Sequence, residues 1–312
     1  MIVRDERGEY VTHPTLPGLV PQRPEPYYQT RNGEAFLGDA LQILPTLPDR
    51  SVNLIVTSPP FALQRKKDYG NVDAELYVEW FRQFHDEFFR VLTEDGSLVI
   101  DIGGSWNKGL PTRSLYHFKL LLSLCERFHL AQEFYWYNPA RLPSPAEWVT
   151  VRRIRVKDAV DPVWWLSKSP FPKADNRRVL KPYSESMKLL LKNGYKPKKR
   201  PSGHDISHKF LWEHDGAIPS NLLSISNTES NSSYLASCRA AGIAPHPARF
   251  PGSLPEFFIR LLTDEGDRVL DPFAGSNVTG EAAEGLGRRW WAIELVPEYL
   301  EGSKLRFRQP VL

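Results

Sequence analysis

Two cysteines in 312 residues, Cys125 and Cys238, provide neither a disulfide framework nor a thiol cluster for a metal. There is no N-terminal apolar segment of the signal-peptide kind, and no apolar run long enough to span a bilayer. The expectation is a soluble protein of a reducing cytoplasm with no membrane partner. Net positive charge is also scarce, only +3 over the whole chain, so overall charge does not mark a nucleic-acid binder. Two common nucleotide motifs are missing, since the chain contains neither G-x-G-x-x-G nor a P-loop ending in Gly-Lys-Ser/Thr. His204 and His208 are four apart, but no carboxylate or thiol at zinc-site spacing joins them, so no metal is assigned.

The composition that is present, 41% apolar and 25% charged, suits a folded chain with a substantial core. Short apolar runs at 35–38, 52–56, 97–102, 133–137, 163–166, 268–270 and 290–293 predict seven strands. Helical spacing appears between several of them. The segment 73–92 places Leu76, Trp80, Phe84, Phe88 and Leu92 four residues apart, and 113–128 follows the third strand with a second apolar helix. This alternation predicts an α/β fold: a mostly parallel seven-stranded sheet, helices on both faces, and binding sites at the carboxyl ends of the strands.

Two motifs fall at such ends. Thr57-Ser58-Pro59-Pro60-Phe61 closes the run 52–56 on two consecutive prolines. Asp271-Pro272-Phe273-Ala274-Gly275-Ser276-Asn277 closes the run 268–270 and opens a helix whose first N–H groups face the loop. Gly275 allows close backbone approach to a ligand, and Asn277 tolerates a left-handed conformation. Glu294 ends the next apolar run about twenty residues on, where an acid can accept both hydroxyls of a ribose. Taken alone, the second loop is also compatible with an ordinary strand-to-helix turn.

Together the two loops resemble those of the β group of DNA amino methyltransferases, in which an [S/D/N]-P-P-[Y/F] catalytic loop precedes a D-P-F-x-G-S loop for S-adenosylmethionine. The likeness extends through 38–61, 91–106, 246–263 and 271–280, which is most of the chain. It implies a Rossmann-like methyltransferase fold, S-adenosylmethionine as cofactor and double-stranded DNA as substrate, with a cognate restriction endonuclease as a further partner. The serine and phenylalanine of the first loop look most like the PvuII-type cytosine-N4 enzymes, whereas aspartate at the first position is usual among adenine-N6 members. Adenine N6 therefore stays open as the target, as does a DNA-binding protein without catalysis. Asn277 stands where many relatives have glycine.

The chemistry of amine methylation suits these residues. An exocyclic amine on a base is a poor nucleophile because its lone pair is delocalised into the ring. The Ser58 hydroxyl and the Pro59 carbonyl can each accept one amino N–H and so orient that lone pair. Pro60 holds Pro59 extended without adding an N–H, and Phe61 offers a stacking face to an extruded base. Asp101, at the end of the stretch 97–101, is expected to orient Ser58 or to receive a proton. The resemblance further places Asp39 near the cofactor's adenine, where a helix N-cap is an alternative role. It also places Phe250 and Pro251 over the methionine end, and adds Asp271, Phe273, Gly275, Ser276, Asn277 and Glu294 to the cofactor site.

Charge is concentrated between 168 and 209, where twelve Lys or Arg face three acids. Lys196, Lys198, Lys199 and Arg200 are its densest run and are expected to contact DNA. The expected organisation is an N-terminal arm at 1–34, a catalytic half at 35–167, an irregular target-recognition region at 168–245 and a cofactor-binding half at 246–312. The sequence does not decide the oligomeric state.

Overall fold

The computed structural model describes residues 2–4, 10–12, 22–62, 73–194, 215–227 and 233–307. A small antiparallel hairpin, β1 (Ile2–Arg4) and β2 (Tyr10–Thr12), precedes the main body. The body is built on β3 (Tyr28–Gln29), β4 (Gly33–Leu37), α1 (Ala40–Ile43), β5 (Val52–Thr57), α2 (Tyr77–Val91) and β6 (Leu92–Asp101). It continues through α3 (Tyr116–Leu124), β7 (His129–Tyr137), β8 (Val160–Ser167), α4 (Glu185–Asn193), β9 (Leu222–Ser224) and α5 (Ser233–Ala241). Helix α6 (Ser253–Leu262), β10 (Arg268–Asp271), α7 (Val278–Gly285), β11 (Arg289–Glu294) and α8 (Pro297–Lys304) complete it.

Among the described residues, nine strands form one mixed sheet in the order β3-β4-β11-β10-β5-β6-β8-β7-β9. The five strands from β4 to β6 run parallel, and β8 returns antiparallel to β6. All seven expected strands are present. The expected count of seven is corrected by β3 and β9, short strands that cap the two edges by pairing with β4 and β7.

Alternation along the central strands feeds two cores. Ile55, Leu98, Ile100, Leu270, Trp291 and Ile293 join one buried cluster with α1, α2 and α3. Their neighbours Leu54, Val56, Val99, Val269, Trp290 and Ala292 join another with α6, α7 and α8. This period of two across continuous apolar runs is the mark of strands buried on both faces. Helix α2 packs with a different phase from the one expected: Tyr77, Phe81, Phe84, Phe88 and Val91 are buried, while Leu76 is 60% exposed. Aromatic residues cover so much of its circumference that four-residue spacing alone does not select the inward stripe.

The segment after β8 is tied back to the body. Lys173 bridges Asp264 and Asp267 at 2.5 and 2.6 Å, and Arg178 pairs with Asp264 at 2.5 Å. No helix among the described residues is long and apolar enough to cross a membrane.

Candidate active site

Because β4, β11, β10, β5 and β6 are parallel neighbours, their carboxyl ends share one edge of the sheet. Asp39 lies two residues beyond β4, Glu294 ends β11, Asp271 ends β10, Ser58 follows β5 and Asp101 ends β6. The row is roughly 19 Å long at the usual interstrand spacing. Residues far apart in sequence are thereby lined up in the order a nucleoside, its tail and a reacting base would need.

At the end of β5 the Ser58 hydroxyl donates to Asp101 Oδ2 at 3.1 Å. Its only proton is committed to that bond, which leaves the serine oxygen to accept from a substrate. Pro59 is buried and Phe61 is half-buried against the core. Gly103 makes room for that ring, since a Cβ there would stand 2.5 Å from Phe61 Cε2. The neighbouring backbone is fixed by the Tyr116 hydroxyl, which donates to the Gly103 carbonyl.

Asp101 is buried, and its Oδ1 finds no partner among the described residues. That residue borders a cavity of about 10 Å³, lined also by Thr57, Phe250 and Phe258. Burial, and next the negative charge of Asp161, raise the Asp101 pKa well above the usual carboxylate range, against the Ser58 hydrogen bond and the Arg141 charge. Asp161 itself is buried and held by a two-pronged ion pair with Arg141, one bond of which is 2.9 Å long.

The loop after β10 is braced from below. Asp271 Oδ1 accepts the Thr57 hydroxyl at 2.8 Å and the Phe273 amide at 3.1 Å, while Oδ2 accepts the Thr279 hydroxyl at 2.7 Å. Burial still pushes its pKa up to about 6 despite these bonds. Ser276 is gripped by Arg306, which donates to its carbonyl at 2.6 Å and its hydroxyl at 3.0 Å. Phe273 meets Phe84 edge-on at 5.1 Å. Asn277 is left-handed at φ 55° and caps α7, accepting from the Gly280 amide at 3.0 Å and donating to the Tyr28 hydroxyl at 2.9 Å.

Above this frame, Gly275 adopts φ 52°, and any Cβ there would stand 3.1 Å from the His246 ring. Its amide donates to Glu294 Oε2 at 2.7 Å, and the Val296 amide donates to Oε1 at 2.9 Å. The carboxylate keeps acceptor capacity for a further donor. Burial raises the Glu294 pKa. Phe250 lies beside Asp101 and Thr57, and Pro251 is buried next to it. Asp39 accepts from the Leu41 amide at 2.9 Å, so it does cap α1.

The expected residues on the strand ends thus come together, and the described residues hold no cluster of three or more potential metal ligands. Lys196, Lys198, Lys199, Arg200, His204 and His208 lie outside the described residues. Thr57, Asp161, Arg141, His246 and Arg306 were not anticipated. Each acts through a partner remote in sequence or across a loop, and only Thr57, which opens the Thr57–Phe61 motif, and His246, four residues before Phe250, lay within stretches already singled out.

The chain matches the family model described as DNA methylase over residues 52–305. It is 52% identical over 288 residues to the type II methyltransferase M.PvuII of Proteus hauseri, covering 91% of this chain and 86% of that protein. It is 29% identical to M.Cfr9I of Citrobacter freundii, covering 85% and 84%. Among solved structures, the cytosine-N4-specific PvuII DNA methyltransferase superposes with a TM-score of 0.74 at 46% identity, covering 91% of this chain and 89% of that one. The M1.HpyAVI–SAM complex shares the fold, with a TM-score of 0.51 at 18% identity and coverage of 88% and 98%. A serine-proline-proline loop bonded to a buried aspartate, beside a braced D-P-F-A-G-S loop and within a match that spans most of the sheet, makes this chain a member of the DNA methylase family.

Proposed function

We propose that the chain transfers the methyl group of S-adenosylmethionine to N4 of a cytosine extruded from double-stranded DNA. The observation that carries this reading is the Ser58–Asp101 hydrogen bond at the carboxyl end of β5, one strand from the Gly275 loop. The cofactor fits the residues present: Gly275 leaves its backbone bare, and Glu294 keeps acceptor capacity at the next strand end. Gly275 and Glu294 would hold its ribose, Asp39 would lie near its adenine, and Phe250 and Pro251 would flank its methionine end. When bound it supplies an electrophilic methyl group on a sulfonium.

The chain's own residues do the rest. Phe61 stacks on the extruded base, and the amine donates one N–H to Ser58 Oγ and one to the Pro59 carbonyl. The nitrogen lone pair is thereby turned toward the methyl donor in a preorganised site. Once the new N–C bond has formed, the nitrogen must lose a proton. Ser58 accepts it while its own hydroxyl proton moves to Asp101, whose raised proton affinity favours that transfer. Residues 168–245 act as the target-recognition region between the two catalytic segments 35–167 and 246–312, and 1–34 as an N-terminal arm. The basic run from Lys196 to Arg200 meets the DNA. The setting is the cytoplasm, alongside an endonuclease that cuts the same site.

Nucleoside mass spectrometry after incubation with unmethylated duplex DNA and S-adenosylmethionine tests the reading. N4-methylcytosine is expected, and it should fall to background with Ser58→Ala. N6-methyladenine alone would change the base and keep the mechanism. Undiminished transfer by Ser58→Ala would remove the mechanism.

A further inference from the structure

Between β7 and β8 the chain takes a long excursion, 138–159, beside the active site. Residues 138–158 contain Arg141, Arg152, Arg153, Arg155 and Lys157 against Glu147 and Asp158, so this one loop carries as much net positive charge as the entire chain. Its surface is also unusually apolar: Val156 is 84% exposed, Leu142 79%, Val151 68% and Ile154 59%. Four exposed aliphatic side chains interleaved with cations in one loop suit a contact surface. Arg153 adds a second sign. It is exposed at φ 55°, a left-handed conformation that costs a non-glycine residue energy, and it makes no ion pair among the described residues.

The loop is mounted rigidly at its base. Arg141 grips Asp161, the carboxylate whose charge bears on Asp101. Arg155 lies over the Trp106 ring at 3.7 Å and donates to the Pro111 carbonyl. Arg113 pairs with Asp158 at 2.7 Å and stands over the same ring at 5.3 Å. Two loops at the catalytic end of the sheet, 103–113 and 138–158, are thus clasped into one platform. Its inner cations are spent on this clasp. The outer ones are Arg153, Arg152, which pairs with Glu147 at 2.7 Å on the exposed surface, and Lys157, whose ammonium donates to the Arg141 carbonyl at 3.1 Å.

We infer that the 138–158 loop is a DNA-contacting arm, in which Arg152, Arg153 and Lys157 meet backbone phosphates next to the extruded base. The apolar side chains Leu142, Ile154 and Val156 then lie against the duplex where the base has left its stack. Phosphates supply the charge complement, and the loop's root beside Asp101 sets the arm at the place where the target base must enter. The inference rests on the proposed methyl transfer to DNA. It assigns part of the phosphate contact to this loop and not to the segment after β8 alone.

The test is fluorescence anisotropy of the full chain with a fluorescein-labelled duplex across a salt series, comparing wild type with Arg152→Gln/Arg153→Gln/Lys157→Gln. All three side chains are exposed or paired only at the surface, so the thermal midpoint should match wild type. The slope of log affinity against log salt should flatten by roughly 2.7, the value for three lost phosphate contacts. An unchanged slope, or a uniform loss of affinity at every salt concentration, would overturn the inference. Methyl transfer by the wild type, read separately by nucleoside mass spectrometry, distinguishes failure of this loop assignment from failure of the functional proposal.

Discussion

The carboxyl ends of β6 and β10 flank β5 on either side, and each ends in a buried aspartate. Their surroundings differ in one respect that decides their roles. Asp271 receives two hydroxyls and an amide, so every donor near it is a protein group and both its oxygens are engaged. Asp101 receives one hydroxyl, from Ser58, and leaves Oδ1 without a partner among the described residues. A carboxylate that is fully engaged fixes a loop, whereas one that is under-satisfied beside a nucleophile's acceptor can take up a proton. We propose that the same residue type at equivalent strand ends is structural on one side and chemical on the other.

The sharpest way to break that contrast is to truncate each aspartate. Asp101→Ala should lower kcat by roughly a hundred- to ten-thousand-fold, the range for loss of a positioned proton acceptor, and leave cofactor affinity by calorimetry unchanged. The wild-type rate should rise with pH as Asp101 ionises, above the ordinary carboxylate range, and the variant should lose that limb. A variant within tenfold of wild type would put Asp101 in the same structural class as Asp271.

Asp271→Ala should act on stability first. It strips the acceptor from two buried hydroxyls and one amide, and a loss of about 3 kcal/mol in urea unfolding is expected. The pH dependence runs opposite to that of a salt-bridged acid. With its pKa raised from 3.8 to about 6, the folded state binds the proton more tightly than the unfolded one. The resulting stability is complete below the unfolded value and is lost as pH rises through about 6, by at most roughly 3 kcal/mol. Asp271→Asn should flatten that window. An unaltered pH profile would show that Asp271 is not the group responsible.

A smaller effect sharpens the division within the second loop. Gly275→Ala places a Cβ 3.1 Å from His246 at a left-handed φ, which costs roughly 1–2 kcal/mol. That cost falls on the folded state, so the urea unfolding free energy should drop by a similar amount, and the added Cβ on the ligand-facing loop should weaken cofactor affinity by calorimetry about tenfold. Wild-type affinity would mean that the backbone at Gly275 is not the surface a ligand meets.

Much of this arrangement was legible in the sequence. Strands buried on both faces write themselves as short continuous apolar runs, and Ser58, Asp101, Asp271 and Glu294 were found because each ends one. The edge strands β3 and β9 escaped because two or three residues carry no period, and they exist only through pairing with a neighbour. The phase of α2 escaped because Trp80 and Phe81 are equally apolar as letters, although the fold buries Phe81 fully and Trp80 only in part. Arg141, Asp161 and Arg306 escaped for a third reason. An ion pair between a loop and a strand twenty residues on, or a guanidinium reaching back thirty residues to Ser276, leaves no local pattern.

The strand order carries a consequence for biosynthesis. β10 and β11 lie between β4 and β5, so two strands that follow one another in sequence leave the ribosome early and are separated by a gap in space. Nothing translated before residue 268 can fill it. The nascent chain must hold β4 apart from β5 with both flanks of that gap unpaired until its last strands arrive, and the catalytic row is assembled only when they do. Catalysis itself is indifferent to which strand was made first, because the edge of the sheet records position and not chronology.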